Sequence, residues 1–107
     1  MATLDPGAHH AVLVNTFKVK PGKAEDLLAV LSRATEETMS AEPGFVSASF
    51  HVSEDGERVL NYAQWRSKAD LEAMLRDPKA QVHMREAAAL ADSVEPVLYD
   101  LRTSHDA

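Results

Sequence analysis

Asp55-Gly56 separates two segments, residues 45–52 and 58–65, in which apolar residues recur at every second position. An Asp-Gly pair between such segments predicts a β-hairpin, because a two-residue type I′ turn requires positive φ at both central positions. A turn centred on this pair fixes the residues that face each other. On one face the expected pairs are Val52 with Val59, Phe50 with Asn61, Ala48 with Ala63, and Val46 with Trp65. The other face carries Ser47, Ser49 and His51 across from Gln64, Tyr62 and Leu60.

The periodicity of the remaining chain predicts strands at 10–19 and 94–102 and helices at 23–41 and 67–91. Pro96 indicates that the last strand lies at a sheet edge, and Asp77-Pro78 is expected to divide the second helical segment. The resulting βαββαβ order predicts an α+β, ferredoxin-like fold with a four-stranded antiparallel sheet. We expect the folded domain at residues 10–102, between a flexible N-terminal tail (1–9) and a C-terminal tail (103–107).

In this fold both helices cover the same face of the sheet, so the other face stays open. The open face is expected to carry apolar side chains that are too numerous to leave in water: Val12, Val14, Leu60 and Tyr62. We therefore predict a homodimer in which two open faces pack together, with His51 at the interface.

Composition narrows the possible functions. The chain has 107 residues, which suits one domain, and its net charge of −6 argues against nucleic acid and anionic lipid as partners. It has no cysteine, which excludes a thiol nucleophile and cysteine-ligated metal, and no helical spacing of His and Glu suggests a metal site. No apolar run is long enough for a membrane span and no signal peptide is evident, so we expect a cytoplasmic protein.

Two carboxamides and one indole are the main candidates for a functional site. Asn61 and Trp65 lie on the same face of one predicted strand. On the first predicted strand, Asn15 is the one polar residue on a face that otherwise carries Leu13, Phe17 and Val19. The first and third strands are neighbours in this topology, so Asn15 and Asn61 are expected to converge. An amide on an apolar face is costly unless it finds a partner. That partner is either the backbone, with Trp65 in the core, or a ligand held between the sheet and the helices.

Other candidates surround this group. Phe17, Phe50 and Met74 are expected to line the pocket and contact the substrate. His83 faces either the pocket or solvent, and Arg85 either binds an anionic substrate or forms a surface ion pair.

The segments VLVNTFKV, EPGF and NYAQWRS resemble the antibiotic biosynthesis monooxygenase superfamily, and the similarity covers residues 11–102. It is strongest for the small cofactor-independent, quinone-forming monooxygenases of aromatic polyketide pathways. The resemblance implies a dimeric α+β barrel that oxidises a polycyclic phenol or anthrone to a quinone. O₂ would be the co-substrate, and no flavin, metal or other cofactor would take part. Asn61, Trp65 and Asn15 match residues implicated in those enzymes, and Arg85 corresponds to an Arg in their second helical region. A Tyr that some members use falls on Leu71 here.

Two other functions stay open. Related enzymes degrade haem with an Asn, a Trp and a helix His, and this chain has Asn15, Trp65 and His83. The family's His falls nearer to Leu75, however, about two helical turns before His83. The second alternative is a non-catalytic, ligand-binding or accessory barrel, because a fold does not determine function.

Overall fold

Four antiparallel strands form one sheet in the order β2-β3-β1-β4 in the computed structural model, which describes residues 11–107. The strands are β1 (Ala11–Val19), β2 (Phe45–Val52), β3 (Arg58–Trp65) and β4 (Ala91–Asp100). The helices are α1 (Ala24–Glu37), α2 (Lys68–Arg76) and α3 (Pro78–Ala89), with a 3-10 turn at Met39–Ala41. This architecture confirms the predicted ferredoxin-like fold. The predicted tail 1–9 lies outside the described residues.

The β2–β3 hairpin keeps the predicted register over most of its length. Val52 pairs with Val59, and the pairing continues through Phe50–Asn61 and Ala48–Ala63. The predicted turn type is wrong, however, because the Gly56 N–H donates to the Ser53 carbonyl at 2.9 Å. This bond places Glu54 and Asp55 at the centre of the turn, and Gly56 follows with φ of 73°.

The predicted pairing of Val46 with Trp65 is also wrong. A β-bulge between Phe45 and Ser47 makes Phe45 the partner of Trp65 and leaves Val46 as the extra residue. The bulge changes the face on which Phe45 lies, because neighbouring residues of a strand point to opposite faces.

The second helical segment divides at Asp77-Pro78, as predicted. Ser67 caps α2 by accepting the Asp70 N–H at 3.1 Å and donating to the Asp70 carboxylate at 3.0 Å. Asp77 caps α3 by accepting the Lys79 N–H at 2.9 Å, and Pro78 occupies the first turn, where its missing N–H has no cost.

The first helix is shorter than the predicted range of 23–41. It ends at Glu37, and Thr38 has a non-helical backbone with φ of −130° and ψ of −61°. The Thr38 hydroxyl lies 3.0 Å from Nε2 of His83 on α3. This tertiary hydrogen bond accompanies the break, and the chain continues into the 3-10 turn that brings Met39 towards the sheet.

The core lies between the helices and the sheet in two clusters. One contains Phe17, Val19, Leu27, Val59, Ala87 and Ala91. The other contains Ala63, Trp65, Leu71, Met74 and Ala80. Along β1 and β3, Asn15 and Asn61 occupy the positions between these clusters. The division of the core therefore marks the place where the two candidate carboxamides lie.

On the opposite face of the sheet, none of the helices within residues 11–107 packs against the strands. Leu60, Tyr62 and Val14 are half-buried there, while Val97 and Tyr99 on the edge strand β4 are exposed. Val12, which we expected to need a partner subunit, is already buried within the chain at 4% exposure.

Candidate active site

Three successive rows of side chains cross the helix-covered face of the sheet. The first row consists of Phe50, Asn61, Asn15 and Pro96. The second consists of Ala48, Ala63, Leu13 and Leu98. The third row begins with Phe45 and Trp65. The small side chains of Ala48 and Ala63 leave space between the carboxamides and the indole, which lie about 13 Å apart along the strand.

A cavity of about 430 Å³ occupies this space, within the usual range for small-molecule sites. Its floor consists of the three rows, and α1, α2, α3 and the 3-10 turn supply its walls: Leu31, Ala34, Thr35, Met39, Leu71, Met74, Leu75 and Met84. The three residues predicted to be catalytic, Asn15, Asn61 and Trp65, all line this cavity. The predicted substrate-binding residues Phe17, Phe50 and Met74 line it as well.

Three polar atoms of this group lack hydrogen-bond partners within the protein. Oδ1 of Asn15, Oδ1 of Asn61 and Nε1 of Trp65 are all shielded from solvent and make no hydrogen bond. Asn15 and Asn61 are direct cross-strand partners, so their amides lie side by side. Each amide carries both a donor and an acceptor, and the indole adds a donor. The cavity therefore presents unpaired hydrogen-bonding groups, an arrangement that a bound ligand with hydroxyl or carbonyl oxygens would satisfy.

The rim of the cavity is apolar. Five of its lining residues are also exposed at the surface: Leu75, Met84, Val94, Pro96 and Leu98. They come from the helical layer and from the edge strand β4, so the opening lies between these elements. Apolar surface at the entrance favours a ligand with an aromatic or aliphatic body.

Among residues 11–107, none of those that line the cavity has an acidic or basic side chain. Within residues 11–107 there is also no group of three or more His, Asp or Glu placed to hold a metal ion. In the same range no helix is long and apolar enough to cross a membrane. The chemistry that this cavity offers is hydrogen bonding by amides and an indole in an environment of low polarity.

His83 and Arg85 are not among the cavity-lining residues. His83 is half-buried on α3, where Nε2 contacts the Thr38 hydroxyl and Nδ1 is buried without a partner. Arg85 is exposed two residues further along α3. Their contact with a substrate stays a prediction. Ligation of haem iron by Nε2 of His83 would require the loss of its contact with Thr38.

A pair of carboxyl groups joins the wall elements near the cavity. A hydrogen bond that the protonated Glu42 carboxyl donates to the Asp77 carboxylate raises the pKa of Glu42 above its ordinary value of 4.5, and burial adds to this effect. The same hydrogen bond lowers the pKa of Asp77 below 3.8, with help from the Lys79 N–H. The pair connects the loop before β2 to the α2–α3 junction, and it lies outside the cavity-lining set.

Sequence reasoning missed several cavity residues. Phe45 reaches the cavity only because of the β-bulge. The edge strand contributes a further set that recurs at every second position: Val94, Pro96 and Leu98. The period of this second set is visible in the sequence, whereas the bulge has no such signal.

A ferredoxin-like domain that encloses an apolar cavity with a few unpaired polar groups is characteristic of a small-molecule enzyme or binding protein. Residues 11–86 match the model of the antibiotic biosynthesis monooxygenase family. The chain belongs to this family, which confirms the resemblance and the prediction of a monooxygenase.

Individual relatives agree with this assignment. The chain is 52% identical to tetracenomycin-F1 monooxygenase of Streptomyces glaucescens over 83 residues, which are 78% of this chain and 74% of the relative. A monooxygenase from the ActVA-Orf6 gene of Streptomyces coelicolor, solved with nanaomycin D, superposes with a TM-score of 0.81 at 30% identity over 96% of both chains. SnoaB, a cofactor-independent oxygenase from Streptomyces nogalater, has a TM-score of 0.81 at 25% identity over 90% of this chain and 96% of its own.

Proposed function

We propose that this protein is a cofactor-independent monooxygenase that oxidises a polycyclic phenol of the anthrone type to a quinone with O₂, in aromatic polyketide biosynthesis. The observation that carries the proposal is the group formed by Asn15, Asn61 and Trp65, whose buried polar atoms lack partners in an apolar cavity. The 52% identity to tetracenomycin-F1 monooxygenase and the cofactor-independent relative SnoaB support the same reaction class.

The shape of the cavity supports a flat, fused-ring substrate. A ring system lying over Ala48 and Ala63 extends from the two amides towards Trp65. At one end, the amides donate N–H groups to a phenolate or enolate oxygen, and their carbonyls accept from a neighbouring hydroxyl. At the other end, the indole N–H donates to a second oxygen. The substrate thereby supplies the partners that the protein lacks.

The reaction balances without a cofactor. An anthrone has a CH₂ group that becomes a carbonyl, and the second atom of O₂ leaves as water. The substrate anion passes one electron to O₂, the resulting radical pair combines to a peroxide, and loss of water gives the quinone. Asn15, Asn61 and Trp65 stabilise the anion that begins this sequence. Preorganised donors of this kind act strongly in a site that excludes water.

The described part of the chain contributes no acidic or basic side chain to the cavity lining that could act as a general base. The substrate therefore loses its proton to solvent before the cavity closes around it, and the protein favours the bound anion by hydrogen bonding to it. The pH dependence of turnover then belongs to the substrate rather than to a protein group.

Turnover of a dihydroxyanthrone under air and under argon tests this function. We expect O₂ uptake equal to the anthraquinone formed, in protein whose metal and flavin content is measured on the same sample and found to be substoichiometric. With ¹⁸O₂ we expect one labelled oxygen in the quinone and one in water. Binding of the anthrone without O₂ uptake would instead identify an accessory binding protein.

A matched pair of variants tests the placement of the substrate. Ala48→Leu fills the space between the amides and the indole, whereas Val52→Ala alters an exposed residue of the same strand outside the cavity. We expect Ala48→Leu to raise KM at least tenfold and Val52→Ala to leave it unchanged. Equal KM values would show that the substrate does not lie over Ala48.

We also propose that the protein is a homodimer that pairs the open sheet faces. Val97 and Tyr99 are exposed on this face, and Leu60, Tyr62 and Val14 are only half-buried. Burial of this apolar surface by a second copy would stabilise the assembly by roughly 25 cal/mol per Å² before the entropic cost of association. A cytoplasmic location stays a prediction from the sequence.

A further inference from the structure

We propose that Phe45 is a positioning residue that holds the Trp65 indole in the orientation required for oxygenation, and that the β-bulge at Val46 exists to place it there. The role of Phe45 in turnover rests on the proposed function. Its effect on the indole does not, and it can be measured independently.

The bulge determines the face on which Phe45 lies. Ala48 with Ala63 and Ser47 with Gln64 follow one register, and continuing that register would pair Val46 with Trp65. Phe45 would then point to the open face of the sheet. Because Val46 is the extra residue, Phe45 becomes the partner of Trp65 and lines the cavity, while Val46 stays 38% exposed.

The contact between the two rings is well defined. The ring centroids of Phe45 and Trp65 lie 5.4 Å apart with an interplanar angle of 84°, which is an edge-to-face arrangement. The torsion that sets the plane of an indole has a broad energy profile and needs a neighbour to fix it. An edge-to-face contact is directional, so it favours one plane over the others. Trp65 is 2% exposed, and its Nε1 has no partner in the protein.

The chain that leads into the bulge is anchored to the end of β3. The Arg66 N–H donates to the Gly44 carbonyl at 2.7 Å, directly beside Trp65. Gly44 has φ of 82°, and a Cβ there would collide with the Asp70 side chain, which accepts a hydrogen bond from Ser67, the residue that caps α2. The backbone leading into Phe45 is therefore held against the segment leading out of Trp65. Such close anchoring limits how far the Phe45 ring can move relative to the indole.

This geometry gives the ring of Phe45 a role beyond filling space. An indole N–H stabilises a developing negative charge only when it points at the oxygen that carries the charge. Rotation of the indole plane would move Nε1 away from that oxygen while the cavity kept its volume. Loss of the aromatic edge should therefore lower kcat more than it raises KM.

The test compares Phe45→Leu, which removes the aromatic edge, with Phe45→Tyr, which keeps it. Trp65 is the only tryptophan in the chain, so intrinsic fluorescence reports on its indole alone. For Phe45→Leu we expect increased acrylamide quenching and lower fluorescence anisotropy, a kcat reduced about tenfold, and a KM within about threefold of wild type. Phe45→Tyr is expected to restore both the fluorescence and kcat. Val52→Ala, an apolar truncation at an exposed position of the same strand, controls for general loosening of β2.

Three results would overturn the proposal: unchanged fluorescence in Phe45→Leu, unchanged kcat in that variant, or a loss of kcat that Phe45→Tyr does not restore. If the wild-type protein consumes no O₂ with an anthrone, the proposed function fails. In that case the fluorescence comparison still decides whether Phe45 orients the indole. If Phe45→Leu does not fold, Phe45→Met keeps the bulk of the side chain without a ring, and the same comparison applies.

Discussion

Replacement of Asn61 by leucine should make the ligand-free protein more stable and abolish its activity. The Asn61 Oδ1 atom is shielded from solvent and has no hydrogen-bond partner. An unsatisfied buried polar group costs about 1–3 kcal/mol, and leucine has a similar volume without this cost. Because the Asn61 residue as a whole is only half-buried, we use the lower part of that range. Asn61→Leu should therefore raise the free energy of unfolding by about 1–2 kcal/mol.

This prediction has a matched control at a buried polar residue that does not line the cavity. Thr38 is also a buried polar residue, but its hydroxyl lies 3.0 Å from Nε2 of His83. Thr38→Val removes one partner of a hydrogen bond and should lower the free energy of unfolding by about 1–3 kcal/mol. The two substitutions make similar chemical changes, and we expect opposite signs because only one of the two polar groups is satisfied.

Urea unfolding at fixed protein concentration measures both effects, and thermal unfolding should follow with a shift of about 4–8 °C per kcal/mol. Turnover of an anthrone by Asn61→Leu should fall by about 10²–10³, the usual cost of one preorganised donor. If Asn61→Leu lowers stability as Thr38→Val does, Asn61 is a structural residue with partners in the protein. The reasoning from unpaired groups would then be refuted.

Three further predictions concern the scaffold. Gly44→Ala should lower the free energy of unfolding by at least about 2 kcal/mol, because the cost of a positive φ adds to the cost of the collision with Asp70. Gly22 has open space around it, so Gly22→Ala should lower the free energy of unfolding by only about 1 kcal/mol. Equal losses for the two variants in urea unfolding would contradict the collision. At neutral pH Glu42→Gln should stabilise the protein, because the new amide donates to Asp77 where two carboxylates repel each other in the wild type. Since the pKa of Glu42 is raised, the wild-type pair contributes stability below pH 4.5 and loses it as the pH rises through the folded pKa. The stability advantage of the variant should therefore disappear in acid, and an advantage that stayed constant with pH would count against the shared proton. Tyr99→Glu on the open face should lower the sedimentation coefficient towards that of a monomer, whereas Val82→Glu on the exposed surface of α3 should leave it unchanged. A wild-type protein that sediments as a monomer would rule out the dimer.

Much of the site was predictable from the sequence because it depends on alternation and on strand order. The positions of Asn15 and Asn61 on apolar strand faces follow from a period of two residues. Their meeting follows from the βαββαβ topology, which makes β1 and β3 neighbours. The hairpin register was correct even though the turn type was not, because the Ser53 N–H still bonds to the Arg58 carbonyl at 2.9 Å.

The parts that could not be predicted depend on tertiary contacts. Phe45 and Val46 are both apolar, so alternation cannot show which of them faces Trp65. The answer comes from the bulge, whose flanking backbone is held by the bond between the Arg66 N–H and the Gly44 carbonyl. The end of α1 is similar, because Thr38 contacts His83 across 45 residues of sequence. Gln64 is a further case: it is fully buried on the face expected to be open, and neither of its amide atoms has a partner.

The pH profile of kcat/KM for two anthrones of different acidity tests most directly the claim that oriented amides and an indole replace a cofactor and a catalytic base. The cavity-lining residues within 11–107 have no acidic or basic side chain, so the profile should rise with the ionisation of each substrate. We predict that its midpoint moves between the two anthrones by the difference in their pKa values. A midpoint that is the same for both substrates would reveal a titrating group of the protein and would contradict the account.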